Sequence, residues 1–231
     1  MSVQRFFVSV GLVLLVAACM DSVAPRRAVQ PTPHFVKWAP ATQPQFTAVG
    51  AVSGGVLSNG GTRLLLSGGI HLAQYTASFW AVRGESRTVQ INYLSASGDS
   101  TQPFLRLTTT DPVYVPGLGE LAVGDSVLVT VTVDSAKIGV SLEPTGLQFG
   151  APAQLQIWYT GANGDLNADG VVDSVDATIE SQLLGLWYQE GSGTPWAPIP
   201  ATRSAEDRSF TASLQHFSDY EVSFLDYAIS W

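Results

Sequence analysis

Beyond residue 46 the chain alternates. Tyr75, Ala77, Phe79 and Ala81 are separated by small or polar neighbours, and Val89, Ile91 and Tyr93 repeat the pattern. Val127, Val129, Val131 and Val133 stand between Leu128, Thr130 and Thr132, and Leu155, Ile157 and Tyr159 follow. A period of two sends successive side chains to opposite faces, so each run predicts a strand with one face in a core. β-Branched residues dominate these runs, as a pleated, half-buried surface favours. Between them lie breakers: Ser97-Gly98-Asp99, Pro116-Gly117 with Gly119, Pro144 with Gly146, and Gly191-Ser192-Gly193. Short strands punctuated in this way predict an all-β fold, an antiparallel β-sandwich. One stretch departs from it. Val175, Ile179, Leu183 and Leu184 recur at helical spacing and Gly185 stops them, which predicts one short inserted helix over 174–184. No repeat of fixed period occurs, which argues against a propeller or solenoid.

The prolines at 112 and 116 mark a division between an N-terminal β region, 46–115, and a C-terminal β-sandwich, 116–231. The pattern leaves open whether these are two domains or one continuous sandwich. Ahead of them, residues 19–45 carry Pro25, Pro31, Pro33, Pro40 and Pro44. Proline fixes φ and removes a donor, so this segment predicts an extended tether.

The first residues follow another rule. After Arg5, Phe6 to Val16 is almost entirely apolar, and Ala17 and Ala18 precede Cys19. A run this short suits the core of an export signal, residues 1–18, better than a membrane span of about 20 residues. Val16-Ala17-Ala18-Cys19 resembles a lipobox, whose small residues fit the lipoprotein signal peptidase and whose thiol takes a diacylglycerol. The alternative is an ordinary signal with a chance cysteine. Cys19 is the only cysteine in 231 residues, so the mature chain has no disulfide and no thiolate metal site. The expectation is a lipid anchor on Cys19, a stalk and an extracytoplasmic domain at a bacterial cell envelope. Charge removes one partner class. Only 13% of residues are charged and acids outnumber bases 19 to 11. Nucleic acid demands clustered Lys and Arg, and no basic stripe exists.

Candidate chemistry concentrates at Asp165-Leu166-Asn167-Ala168-Asp169-Gly170-Val171-Val172-Asp173-Ser174-Val175-Asp176. With Asp165 as position one, oxygen-bearing side chains fall at one, three, five, nine and twelve. Gly170 is at six, where an EF-hand-like loop turns sharply, and Val171 at seven offers its backbone carbonyl. Ca²⁺ takes six to eight oxygens, and this spacing wraps a loop around one ion. Four carboxylates so close repel one another unless a cation neutralises them. Val172 at eight is expected to point into the core. The competing reading is a solvated acidic turn. The loop resembles the calcium-binding half of a dockerin repeat, which has Asp at its last position and a helix after it. That resemblance implies Ca²⁺ held by Asp165, Asn167, Asp169, Val171, Asp173 and Asp176. Dockerins carry two repeats and here there is one, preceded by a strand, so the resemblance does not extend to cohesin docking.

A second resemblance covers about 119–224. Gly119 to Val133, Val140 to Phe149, Pro152 to Ile157, Leu186-Trp187-Tyr188, Trp196 to Pro200 and His216-Phe217-Ser218-Asp219-Tyr220 occur in order. Together they are similar to the β-sandwich family shared by zonula occludens proteins, netrin receptors and ankyrins. That resemblance implies a structural and protein-contact module rather than an enzyme, with 161–184 as an insertion.

The enzyme readings are weaker. His216, Ser218 and Asp219 lie too close along one strand to converge as base, nucleophile and orienter. His34, His71 and His216 are scattered and make no metal triad. Glu85, Glu120, Glu143, Glu190 and Asp125 are available to a glycosidase, but spacing shows no pair. Trp38, Trp80, Trp158, Trp187, Trp196 and Trp231 are candidates for a sugar-stacking platform, and most suit a core instead. The expected function is non-enzymatic: a calcium-stabilised, envelope-anchored sandwich in protein or polysaccharide contact. The alternative is an envelope hydrolase or carbohydrate-binding enzyme with an unrecognised carboxylate pair.

Overall fold

A computed structural model describes residues 33–39, 46–51, 56–59, 62–65, 70–71, 76–94 and 101–225. The expected signal, Cys19, residues 20–32 and Trp231 lie outside them. The strands in chain order are β1 (Pro33–Phe35), β2 (Phe46–Ala51), β3 (Val56–Asn59), β4 (Thr62–Leu65), β5 (Ile70–His71) and β6 (Thr76–Val82). Then come β7 (Arg87–Leu94), β8 (Thr101–Thr109), β9 (Pro112–Val115), β10 (Gly119–Glu120), β11 (Ser126–Val133) and β12 (Gly139–Glu143). The last are β13 (Gln148–Trp158), β14 (Gly185–Gln189), β15 (Ala197–Pro198), β16 (Ala201–Ser204), β17 (Ser209–His216) and β18 (Asp219–Leu225).

These strands form two antiparallel sheets, one of them curled into a half-barrel, and among the described residues there is a single short helical segment. The first runs β15-β14-β18-β12-β11-β6-β3-β4, with β1 also on β18. The second runs β10-β9-β13-β8-β7-β2-β5, with β17 on β13 and β16 on β17. Alternation decides the inward faces. In β11 Val127, Val129, Val131 and Val133 are buried, while Leu128 is exposed. They share one core with Phe79 of β6 and with Ile91, Leu105 and Leu155 of the other sheet. That burial is the main stabilising term, roughly 1.5–3 kcal/mol for each fully buried large side chain.

The division at 112–116 is not a domain boundary. β6 pairs with β11 over seven residues, Val82↔Ser126 to Thr76↔Thr132, and β8 pairs with β13. Both predicted regions therefore contribute to both sheets, and 31–231 forms one compact unit. The tether also ends earlier than its prolines predict. Residues 33–35 pair with 223–225 of β18, and Val36 and Trp38 are buried in the core. The Val36 N–H donates to the Val222 carbonyl at 3.0 Å, and the Ile138 N–H donates to Val36 at 2.8 Å. Val36-Lys37-Trp38 is itself a short alternation, buried, exposed and buried in turn, and the prolines around it mask the signal.

The inserted segment joins β13 of one sheet to β14 of the other. A single 3₁₀ turn, Thr160–Ala162, leads to the acidic loop. The α-helix α1 (Ser174–Thr178) follows and opens into a π-turn over Ile179–Leu183. The helical spacing holds: Ile179 is fully buried, and Val175, Leu183 and Leu184 pack against the core.

Candidate functional site

The acidic loop hangs between core anchors. Ala162 and Leu166 are buried on its entry side and Ile179 on its exit side. Its base rests on Trp38, because Gly161 has no side chain: a Cβ there would lie 2.1 Å from Trp38 Cζ3. The Gly161 carbonyl also accepts from the Ala39 N–H at 3.0 Å.

Within the loop, carboxylates turn to backbone N–H groups. Asp165 Oδ1 accepts from the Asp169 N–H at 3.1 Å and Oδ2 from the Gly170 N–H at 3.0 Å. Asn167 Oδ1 accepts from the Asp169 N–H at 3.1 Å, while its Nδ2 donates to Asp169 Oδ2 at 2.9 Å. Asp169 Oδ1 accepts from the Val171 N–H at 2.8 Å. Gly170 has φ +91°, with open space where a Cβ would stand. The dihedral, not crowding, demands glycine there.

The loop closes at Asp176, which is only 3% exposed. Its Oδ1 accepts from the Leu166 N–H at 2.7 Å, returning position twelve to position two. Its Oδ2 accepts from the Asp173 N–H at 3.0 Å, and Asp173 Oδ1 accepts from the Val175 N–H at 2.7 Å. This reciprocal capping box satisfies N–H groups that a helix start leaves without partners.

The fit to a cation is therefore mixed. The donor types are right, all hard oxygens, and the ring is closed. Yet among the described residues no three His, Cys, Asp or Glu side chains gather around one point. Asp169 and Asp173 are exposed at the rim, and each carboxylate keeps lone pairs beyond its hydrogen bonds. Val172 departs from expectation: it is 63% exposed. It lies against Gly164, whose Cβ would stand 3.2 Å from Val172 Cγ1, while Leu166 and Ile179 fill the core instead.

The other sequence candidates disperse. Ser218 Oγ donates to the Gln189 carbonyl, and His216 Nδ1 faces the Phe217 carbonyl at 3.3 Å. His216 Nε2 stands 3.8 Å from Glu190, so these side chains do not form a nucleophile–base pair. His34 stacks on Phe224 at 4.7 Å, far along the chain from His216. Trp38, Trp158 and Trp187 are buried. Trp196 alone of the described tryptophans lines a cavity of about 340 Å³, together with Asp219 and Glu221.

Sequence reasoning passed over Glu221. Its place in β18 reads as an outward, solvated position, and nothing nearby in sequence shows what covers it. In the fold only 9% of its side chain is exposed, and burial pushes its carboxyl up to about 7. Asp134 and Asp219 push the same way, and Lys137 opposes them. No family model, curated protein or solved structure matches the chain.

Proposed function

We propose that the protein is a lipid-anchored contact module of a bacterial cell envelope, non-enzymatic, with its sandwich stabilised by one Ca²⁺ in the loop 165–176. The observation that carries the anchor is the placement of the single cysteine. Cys19 closes the apolar run that starts at Phe6, behind two alanines, ahead of a body that begins near residue 33. The resemblance to the zonula occludens, netrin receptor and ankyrin sandwiches supports a contact role. So does the way His216 and Ser218 are engaged by separate backbone carbonyls.

In this reading Asp165, Asn167, Asp169, Asp173 and Asp176 hold the ion through side-chain oxygens and Val171 through its carbonyl. The ion would neutralise charge that the loop now offsets with backbone N–H groups. The anchor is tested by growing cells on a radioactive fatty acid. Wild type should carry label and stay with the membrane, and Cys19→Ser should do neither. Equal labelling of both would overturn it.

One observation favours the rival, an envelope hydrolase. A buried carboxyl shifted to about 7 beside a second carboxylate is the kind of group that serves as a general acid. Release of reducing ends from oligosaccharides, lost in Glu221→Gln, would replace the contact reading with that one.

A further inference from the structure

The solvent face of the first sheet carries an ordered polar surface. Antiparallel register sets Gln189, Asp219 and Ser141 side by side on β14, β18 and β12. Glu221 follows Asp219 by two residues and so projects from the same face. Its neighbour on β12 is Gly139, and that absence of a side chain lets Glu221 lie across the sheet. A Cβ at 139 would stand 2.5 Å from Glu221 Cγ. Trp196 and Lys137 complete the wall of the cavity. Phe35 fixes both: its ring meets Trp196 edge-on at 5.0 Å, and the Lys137 ammonium lies 4.4 Å from its centroid.

Among the described residues, Glu221 is the group this fold leaves incomplete. Oε1 accepts from Lys137 Nζ at 3.4 Å, but the buried Oε2 has no hydrogen-bond partner. A buried polar atom in that state is costly unless something supplies a donor. Oε2 is closed to solvent as well, so a visitor in the cavity meets Glu221 through Oε1, the oxygen it shares with Lys137.

The chemistry of the walls narrows the visitor. A metal ion needs several oxygens converging on one point, and Asp134, Asp219 and Glu221 of this cavity form no such group. Anions meet Asp134, Asp219 and Glu221 against one lysine, which disfavours phosphates and acidic sugars. The polar groups are instead spread around the wall and of mixed type. Carboxylates accept, the Gln189 amide both donates and accepts, and the Ser141 hydroxyl does either. An aromatic ring stands at the edge. Spaced acceptors and donors beside an aromatic face suit a ring bearing several hydroxyls. The volume lies at the small end of ligand pockets, about 300–1,000 Å³, the scale of a terminal sugar rather than a polymer.

We propose that this cavity binds an uncharged sugar ring, whose hydroxyls donate to Asp219 and to Glu221 Oε1 while Trp196 covers its apolar face. It rests on the contact-module reading above and gives it a ligand class.

The test uses the full-length protein in detergent, screened on arrays of neutral and acidic glycans. Titration calorimetry then follows with glucose, galactose, mannose and N-acetylglucosamine. Wild type should bind at least one neutral sugar and ignore glucuronic acid. Trp196→Ala and Asp219→Ala should each weaken binding at least tenfold. Arg106→Ala, on the other sheet, should change nothing. Glu221→Gln keeps the shape of the side chain, and its melting curve shows whether any loss reflects misfolding. It should bind at least fivefold more weakly while staying folded. Folded wild type that binds no neutral sugar at tens of millimolar, or binding untouched by Trp196→Ala and Asp219→Ala, overturns the proposal. The outcome is separable from the anchor: a chain that carries no fatty acid can still bind sugar, and a labelled one can fail to.

Discussion

Two acidic regions of this molecule solve the same electrostatic problem in opposite ways. In the loop 165–176 the carboxylates run from the exposed Asp169 and Asp173 to the buried Asp176, and backbone N–H groups occupy them within a twelve-residue span. At the cavity, Glu221 projects from the outer face of the sheet, meets Lys137 from 84 residues away, and keeps one oxygen unpaired. The first arrangement is local and can form as soon as the loop does. The second exists only once four strands and the segment at 33–39 have assembled. That segment serves both: Phe35 braces the cavity, and Trp38 underlies the loop while its Nε1 donates to the Asp134 carbonyl at 2.9 Å.

Each region also rests on a glycine that makes room, and substituting them should separate the two. In Gly161→Ala the new Cβ would meet the Trp38 ring at 2.1 and 2.4 Å. A rigid indole packed on Phe104 at 4.9 Å and Tyr93 at 5.4 Å cannot yield cheaply. Urea denaturation should show a loss of about 3 kcal/mol or more, the upper end for overpacking. Gly139→Ala meets Glu221 Cγ, part of a flexible chain, at 2.5 Å and the Tyr220 carbonyl at 3.0 Å. Its loss should be smaller, about 1–2 kcal/mol. Equal losses would mean that Trp38 does not form the base of the loop.

The next effect concerns pH. Below about 4.5 Glu221 is protonated whether the chain is folded or not, and costs nothing. Between 4.5 and about 7 the unfolded chain ionises while the folded one keeps its proton, so stability falls as pH rises. Above 7 the cost is constant. Lys137 tempers this shift, and Asp134 and Asp219 add to it. Wild type should lose up to about 3 kcal/mol across that window relative to Glu221→Gln. Parallel stability–pH curves for the two proteins would show that Glu221 ionises freely in the fold.

How much of this was legible follows from the same contrast. The valine strand and the runs at 77–81, 89–93 and 155–159 were readable because period-two burial is written locally. The closed turn at 165–176 is readable for the same reason, as its oxygen-bearing positions and Gly170 lie within one short span. Residues 33–39 depart from the tether expectation because the prolines outweigh the brief alternation Val36-Lys37-Trp38, whose Val36 pairs with Ile138 and Val222. Val172 was placed inward by loop position, yet Leu166 and Ile179 had already taken the core beneath it. Glu221 is invisible in the sequence, since its burial depends on Gly139 and on Lys137, 84 residues away along the chain.

The smallest expected effect bears on the central claim, that the loop is a calcium site and not only a self-satisfied acidic turn. An extracellular site of this type binds at roughly 10⁻⁴–10⁻³ M. At 2 mM, calcium should then add only about 0.6–1.8 kcal/mol, from RT ln(1 + [L]/Kd). The direct measurement is thermal unfolding in 2 mM calcium and in chelator, for wild type, Asp165→Ala and Asp169→Ala, with Asp111→Ala as a remote control. Wild type and the control should melt several degrees higher with calcium, and the two loop variants should melt at one temperature in both. A wild-type melting temperature unmoved by calcium, with no heat of binding on titration, would contradict the account and leave the loop held by its backbone alone.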